Sequence, residues 1–241
     1  MNDISVCFSP ALFPFYTKEN AITVIIDVFR ATTSICTAFQ NGTLAIRTMA
    51  DLDKVLALKN NGFLVAAERN TLKCDFADFG NSPFDFTPEK VAGKEIIFTT
   101  TNGTRAVEVA LESDEILIGS FSNMTTLTEY CTRQNKNIIL VCSGWNNRFC
   151  LEDALFAGSF IEKITSHTDY TLKSDASIAA VELWRLAKSD IKNYICKSEH
   201  FERLRQNGCE NEVDYCLTEN TANVLPAYDK AKGYFTLKQL P

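Results

Sequence analysis

At four places in this chain an apolar run gives way to residues that could do chemistry. Ile22-Thr23-Val24-Ile25-Ile26 leads into Asp27-Val28-Phe29-Arg30-Ala31-Thr32-Thr33, and Phe63 to Ala67 leads into Glu68-Arg69. Glu95-Ile96-Ile97-Phe98 leads into Thr99-Thr100-Thr101-Asn102-Gly103-Thr104-Arg105, and Asn137 to Cys142 into Ser143-Gly144-Trp145-Asn146-Asn147-Arg148, followed by Glu152-Asp153. Together these supply separated carboxylates, several hydroxyls and four arginines, the inventory for holding a divalent cation and a multiply charged anion. Each piece also has a plainer use. Asp27 could be a metal ligand, a nucleophile or a helix cap. Glu152 and Asp153 favour the positive end of a helix dipole, worth up to about 1 kcal/mol. A surface arginine usually binds nothing specific, so about two of Arg30, Arg69, Arg105 and Arg148 are expected to touch a ligand. His200 could be a general acid, though a lone histidine beside Phe201 is more often structural. Trp145 could line a pocket or belong to the core.

The elements that must position these residues are legible from periodicity. Ile96 to Phe98 is the short apolar run of a strand covered on both faces, and Ala106, Val109 and Ala110 then repeat at helical spacing. A strand-to-helix turn at the carboxyl end of a strand is where open α/β sheets bind ligands, and a helix N-terminus offers free N–H groups to an anion. Gly103 lets the backbone approach closely, and Arg105 can grip two oxygens. Further strands are expected at 4–8, 22–26, 44–48, 63–67, 115–118, 137–142 and 234–237. Helices are expected after Arg30, from Asp51, from Met124, from Leu151 and over 175–188, with Asn41-Gly42 stopping the first. Residues 70–88 form the longest stretch without clear periodicity, a length that often marks a functional loop. This alternation implies a largely parallel sheet covered on both faces, with a helical C-terminal part. Parallel strands would place all the polar strand ends on one edge. The 241 residues suit one domain, with a two-lobed form an alternative and no clean boundary.

Composition narrows the partners. A formal charge of -6 argues against a nucleic-acid partner. No apolar run approaches a membrane span, and the Met1-Asn2-Asp3-Ile4 start lacks the basic region of a secretory signal. Nine cysteines, without a Cys-x-x-Cys pair, point to reduced thiols in a cytoplasmic protein, and Cys7, Cys36, Cys131, Cys142 and Cys196 are expected in apolar surroundings. With only His167 and His200 available, a metal would be held by carboxylate oxygen, which favours Mg²⁺ over Zn²⁺. No Walker motif, no Gly-x-Ser-x-Gly elbow and no second aspartate two residues after Asp27 is present. Phosphoryl chemistry fits best, because its transition state spreads charge over oxygens that a cation, arginines and helix N-termini stabilise.

At these residues the chain resembles the 2-phosphosulfolactate phosphatase family, known as ComB. The matching pieces are Ile26 to Thr33, Glu68-Arg69, Phe79-Gly80-Asn81-Ser82-Pro83, Thr99 to Arg105, Ile118-Gly119-Ser120-Phe121, Cys142-Ser143-Gly144, Leu151-Glu152-Asp153 and Ala157-Gly158, in family order over roughly 20–165. The C-terminal third matches more loosely: Ser198-Glu199-His200-Phe201-Glu202 stands where the family tends to show Ser-x-His-Gly-Arg. The resemblance implies a three-layer α/β/α fold with a mixed, largely parallel sheet. It implies a Mg²⁺-dependent phosphatase that converts 2-phospho-3-sulfolactate to 3-sulfolactate on the route to coenzyme M. Another small anionic phosphoester, or mere binding of an anionic metabolite, is the alternative. Asp27, Glu68, Glu152 and Asp153 are the expected catalytic carboxylates, with Asp27, Glu68 and Asp153 on the metal. Arg30, Thr32, Thr33, Asn81, Thr100, Thr101, Asn102, Gly103, Thr104, Arg105, Ser143 and Gly144 are expected around the substrate, and Arg69 or Arg148 at its carboxylate or sulfonate end. A homodimer is the base-rate expectation.

Overall fold

A computed structural model describes residues 2–16, 19–172 and 174–239. The strands are β1 (Ile4–Cys7), β2 (Ala21–Ile26), β3 (Ala45–Thr48), β4 (Leu64–Arg69), β5 (Leu72–Lys73), β6 (Glu95–Thr99), β7 (Glu115–Gly119), β8 (Asn137–Cys142), β9 (Pro226–Asp229) and β10 (Tyr234–Leu237). The helices are α1 (Ala31–Gln40), α2 (Leu52–Asn60), α3 (Pro88–Val91), α4 (Gly103–Ala110), α5 (Met124–Gln134), α6 (Leu151–Thr165), α7 (Asp175–Ala187), α8 (Ile191–Ile195), α9 (Glu199–Gln206) and α10 (Asn211–Leu217).

All ten strands form one mixed sheet in the order β1-β8-β2-β7-β9-β10-β3-β6-β4-β5. Every residue of β2 is buried, as its unbroken apolar run requires for a strand covered on both faces. Its alternating side chains divide between two cores. Ile22, Val24 and Ile26 pack with Leu155, Phe156 and Phe160 of α6, while Ile25 packs with Ile35 and Phe39 of α1 and Ala106 of α4. The C-terminal helices join the first of these cores through Ile195, Leu204 and Val213. The three-layer α/β/α architecture with a helical C-terminal part is therefore as the sequence implied. Asp51 caps α2 by accepting from the Asp53 and Lys54 amides. The 70–88 stretch is not wholly irregular: it contains β5 and a 3-10 turn at Pro83–Asp85.

One expectation fails. The polar strand ends do not share an edge. Strands β1, β8, β2 and β7 run parallel, and so do β3, β6 and β4. The β9–β10 hairpin lies between the two sets and pairs antiparallel to β7 on one side and to β3 on the other. The two parallel sets consequently run in opposite directions. In a flat sheet the ends of β2 and β6 would be five strands, roughly 24 Å, apart and on opposite edges. They nevertheless meet, for the Gly103 backbone packs directly against Asp27 and Ala31. The hairpin joins each set through a single residue pair, Leu117 with Ala227 and Phe235 with Ile46. Strand twist accumulated across these narrow joints curls the sheet and turns the two carboxyl edges toward each other. All nine cysteines are free thiols; Cys196, expected in apolar surroundings, is exposed.

Candidate active site

The meeting point of these edges is a narrow cleft, with free space of only about 10 Å³, whose walls include Asp27, Arg30, Glu68, Asn81, Asn102 and His200. The β2–α1 turn is locked by its threonines. Thr32 Oγ1 accepts from the Asp27 amide at 3.1 Å and donates to the Asp27 carbonyl at 2.9 Å, and Thr33 Oγ1 donates to the Val28 carbonyl at 3.0 Å. These two hydroxyls shape the loop and do not line the cleft. Asp27 Oδ1 accepts from the Ala31 amide at 3.4 Å. A Cβ at Gly103 would stand 3.0 Å from Asp27 Oδ2 and from the Ala31 Cβ, so glycine is what allows α4 to start this close to the carboxylate. Within the same turn Thr104 Oγ1 accepts from the Thr100 amide at 3.1 Å.

Glu68, at the end of β4, accepts from the Thr71 amide and, at 3.4 Å, from the Thr101 amide. Thr71 carries φ +71°, an unusual conformation for a β-branched residue. Its carbonyl accepts from Arg30 Nη2 at 2.7 Å and its hydroxyl from Asn207. Asp153 joins the ends of β2 and β8: its oxygens accept from the Val28 amide at 2.9 Å and the Gly144 amide at 3.1 Å. Gly144 has φ +61°, and a Cβ there would fall 2.1 Å from the Arg148 carbonyl oxygen. Ser143 donates its amide to Ile26, and Asn102 Oδ1 accepts from the Asn146 amide at 3.0 Å, so the β2, β6 and β8 turns are tied to one another.

Four carboxylates, Asp27, Glu68, Glu152 and Asp153, are buried around this cleft. Burial, reinforced by Glu68 and Glu152 against the opposing pull of His200, pushes the Asp27 carboxyl up to about 6. Burial beside Glu152 and Asp27 holds Asp153 well above the usual carboxylate range, although its two amide partners draw it back. Burial would raise Glu152 as well. The charge and hydrogen bond of His200 outweigh it, and Glu152 lies below its ordinary value. His200 Nδ1 sits 2.5 Å from Glu152 Oε1, and the Ser198 hydroxyl caps α9 so that the imidazole projects from its first turn. Among the described residues, Glu152 Oε2, Thr100 Oγ1, Thr101 Oγ1, Asn81 Oδ1 and Ser143 Oγ are buried without hydrogen-bond partners.

The arginines separate by position. Arg30 lines the cleft but is engaged, with Nη1 2.5 Å from Glu212 Oε2. Arg69 donates to the Glu68 carbonyl at 2.6 Å and to Thr99 Oγ1 at 2.9 Å, bracing the strand ends. Arg105 is exposed on α4 and Arg148 is exposed at the rim of an adjoining pocket. Cys142 and Arg148 stand at the Cys-x₅-Arg spacing of thiol phosphatases. Burial pushes the Cys142 thiol far up, however, so no thiolate nucleophile is available there. His200, which sequence reasoning weighed as structural, is 6 % exposed and central. Its one sequence signal was the Ser-x-His spacing in the loosely matching third. Glu212 and Thr71 had no signal.

The donor set can be tested against a metal. Among the described residues, Cys150, Glu152 and His200 are the group whose ligand atoms all lie within 4.8 Å of one another. Burial beside Glu152 and Asp153 drives the Cys150 thiol strongly upward, so it stays protonated and is a poor ligand. His200 Nδ1 is already held by Glu152. What remains is carboxylate oxygen, including the partnerless Glu152 Oε2, and oxygen ligands suit a hard cation such as Mg²⁺.

A family model described as 2-phosphosulpholactate phosphatase matches residues 7–231. The chain belongs to that family. The enzyme is accordingly a phosphoric monoester hydrolase. It is 37% identical over 228 residues to a probable 2-phosphosulfolactate phosphatase of Thermotoga maritima, covering 95% of this chain and 97% of the relative. A protein of the same description from Caldanaerobacter subterraneus is 35% identical, covering 87% and 88%, and one from Synechocystis is 33% identical, covering 93% and 95%. No described helix is long and apolar enough to cross a membrane.

Proposed function

We propose that the enzyme removes phosphate from 2-phospho-3-sulfolactate, giving 3-sulfolactate, with Mg²⁺ held by Asp27 and Glu68 and with Glu152 and Asp153 behind them. The carrying observation is the charge of the cleft: Asp27 and Glu68 line it, with Glu152 and Asp153 buried nearby, while Arg30 is already paired with Glu212 and His200 with Glu152. Uncompensated buried carboxylates are costly, and a phosphate dianion would add to the excess. A cation between them relieves both. Family membership and the relatives' descriptions support the substrate.

Bound there, Mg²⁺ would neutralise charge on the phosphoryl oxygens and lower the pKa of a coordinated water. The phosphoryl group would lie beside Arg30 and Asn102, the residue of the 100–104 turn that lines the cleft. Hydrolysis breaks the bond between phosphorus and the ester oxygen. Water supplies the new phosphate oxygen, and the departing alkoxide takes a proton. His200 is suited to give it. Glu152 fixes Nδ1 and so orients the ring, while Nε2 is left for the cleft. Phosphate release from 2-phosphosulfolactate and from 2-phospholactate, each with Mg²⁺ and with EDTA, tests this reading. Mg²⁺-dependent turnover of the sulfonate is expected. Turnover of 2-phospholactate alone would remove the substrate assignment, and undiminished turnover in EDTA would remove the metal.

A further inference from the structure

Trp145 and His200 also line a second pocket, whose other walls include Glu152, Ser198, Arg148 and Arg203. The two spaces are therefore neighbours, and the end of a small molecule remote from a phosphoryl group in the cleft would lie toward this pocket. Arg203 follows His200 by three positions on α9, so both project from one face. Its guanidinium lies over the Trp145 ring, with Cζ 4.2 Å from the centroid, and the Trp145 and His200 ring centroids are 5.8 Å apart. Among the described residues, Arg203 Nε is buried without a partner, and its one ion pair, to Glu199 Oε2, is 3.7 Å long and made with a side chain 85% exposed. The other candidate arginines are committed or elsewhere: Arg30 to Glu212 and Thr71, Arg69 to main-chain and threonine oxygens, Arg105 to solvent on α4.

We infer that Arg203, stacked on Trp145, is the specificity residue that binds the second acidic group of the substrate, the carboxylate or sulfonate distal to the phosphoryl group. The inference rests on the phosphatase reading and adds to it the residue that grips the acidic end. A planar guanidinium held over an indole presents its donors in a fixed fork, which matches an oxyanion and loses little entropy on binding one. Arg148, exposed at the rim of the same pocket, adds positive charge there. Neither arginine lies among the residues that line the reacting end, so the subsite sorts substrates without entering the chemistry.

The test compares R203M and R203K with the wild-type enzyme on 2-phosphosulfolactate, 2-phospholactate and 2-propyl phosphate, which keeps the secondary ester and lacks any acid. The expected result is a loss of about 100-fold in kcat/KM on the acidic esters, carried by KM, with 2-propyl phosphate unchanged within about threefold. Loss on both acids identifies the carboxylate as the partner of Arg203; loss on the sulfonate alone identifies the sulfonate. Equal loss on all three esters, or on none, overturns the inference and leaves the phosphatase reading intact. If the wild type releases phosphate from no ester, that reading fails by itself. Titration of 3-sulfolactate into W184F, followed by Trp145 fluorescence, then decides the subsite: binding weakened at least tenfold by R203M upholds it, and absent or Arg203-independent binding overturns it.

Discussion

Asp27→Asn should abolish hydrolysis and, in the absence of divalent cations, make the protein more stable. Asp27 is buried against Glu68 and Glu152, and its carboxyl titrates near 6 in the fold. In the unfolded chain it would titrate near 3.9, so at pH 7 to 8 the ionised form opposes folding by about 3 kcal/mol. The direction follows from the raised value. The folded state holds the proton more tightly, so this contribution is absent below about pH 4, grows as pH rises toward 6, and is complete above it. Asparagine carries no charge and keeps an oxygen for the Ala31 amide. For a chain of this length about 3 kcal/mol corresponds to roughly 6–12 °C in Tm, an upper bound because the amide group is still a buried polar group. Melting followed by circular dichroism at pH 4 and pH 8, in EDTA, should show D27N gaining over wild type at pH 8 and not at pH 4. Adding Mg²⁺ to 100 times its dissociation constant should then stabilise the wild type by about 2.7 kcal/mol and D27N by far less. A D27N protein that melts lower than wild type at pH 8 in EDTA would refute the electrostatic argument. Equal Mg²⁺ stabilisation of both proteins would refute Asp27 as a ligand.

His200→Asn should reduce kcat on alkyl phosphates by about 100-fold or more but affect p-nitrophenyl phosphate little, because that leaving group needs no proton; equal losses would remove the acid role. Arg30→Met leaves Glu212 buried and unpaired and should cost about 3–5 kcal/mol in denaturant melts, with much of this recovered in R30M/E212L. Gly144→Ala should cost more than about 2 kcal/mol, since its φ and the Arg148 carbonyl both exclude a Cβ. Gly103→Ala should instead disturb Asp27 and lower kcat about 100-fold with a smaller change in Tm.

The sequence by itself determined the main strands and helices of the two parallel sets and most of the acidic residues of the site, but not the short elements β5, α3 and β9. Short apolar runs such as Ile22 to Ile26 can only be strands covered on both sides, and the helical repeat after Gly103 is local information. The carboxylates at 27, 68, 152 and 153 were legible for the same reason, as polar residues at the ends of such elements. What only the tertiary structure decided was how those ends meet and which charges are left over. The sheet turns back through the β9–β10 hairpin, whose partners β7 and β3 are far away in the chain, and no local pattern encodes a pairing direction. Four arginines looked alike in sequence, because a guanidinium is identical whether free or engaged. Glu212 lies 182 residues from Arg30, and Glu152 lies 48 from His200, so only folding reveals that Arg30 is neutralised and His200 held in the cleft. Arg203 shows it most simply: an arginine in an ordinary amphipathic helix is held at the second pocket because Trp145, from another strand end, lies beneath it.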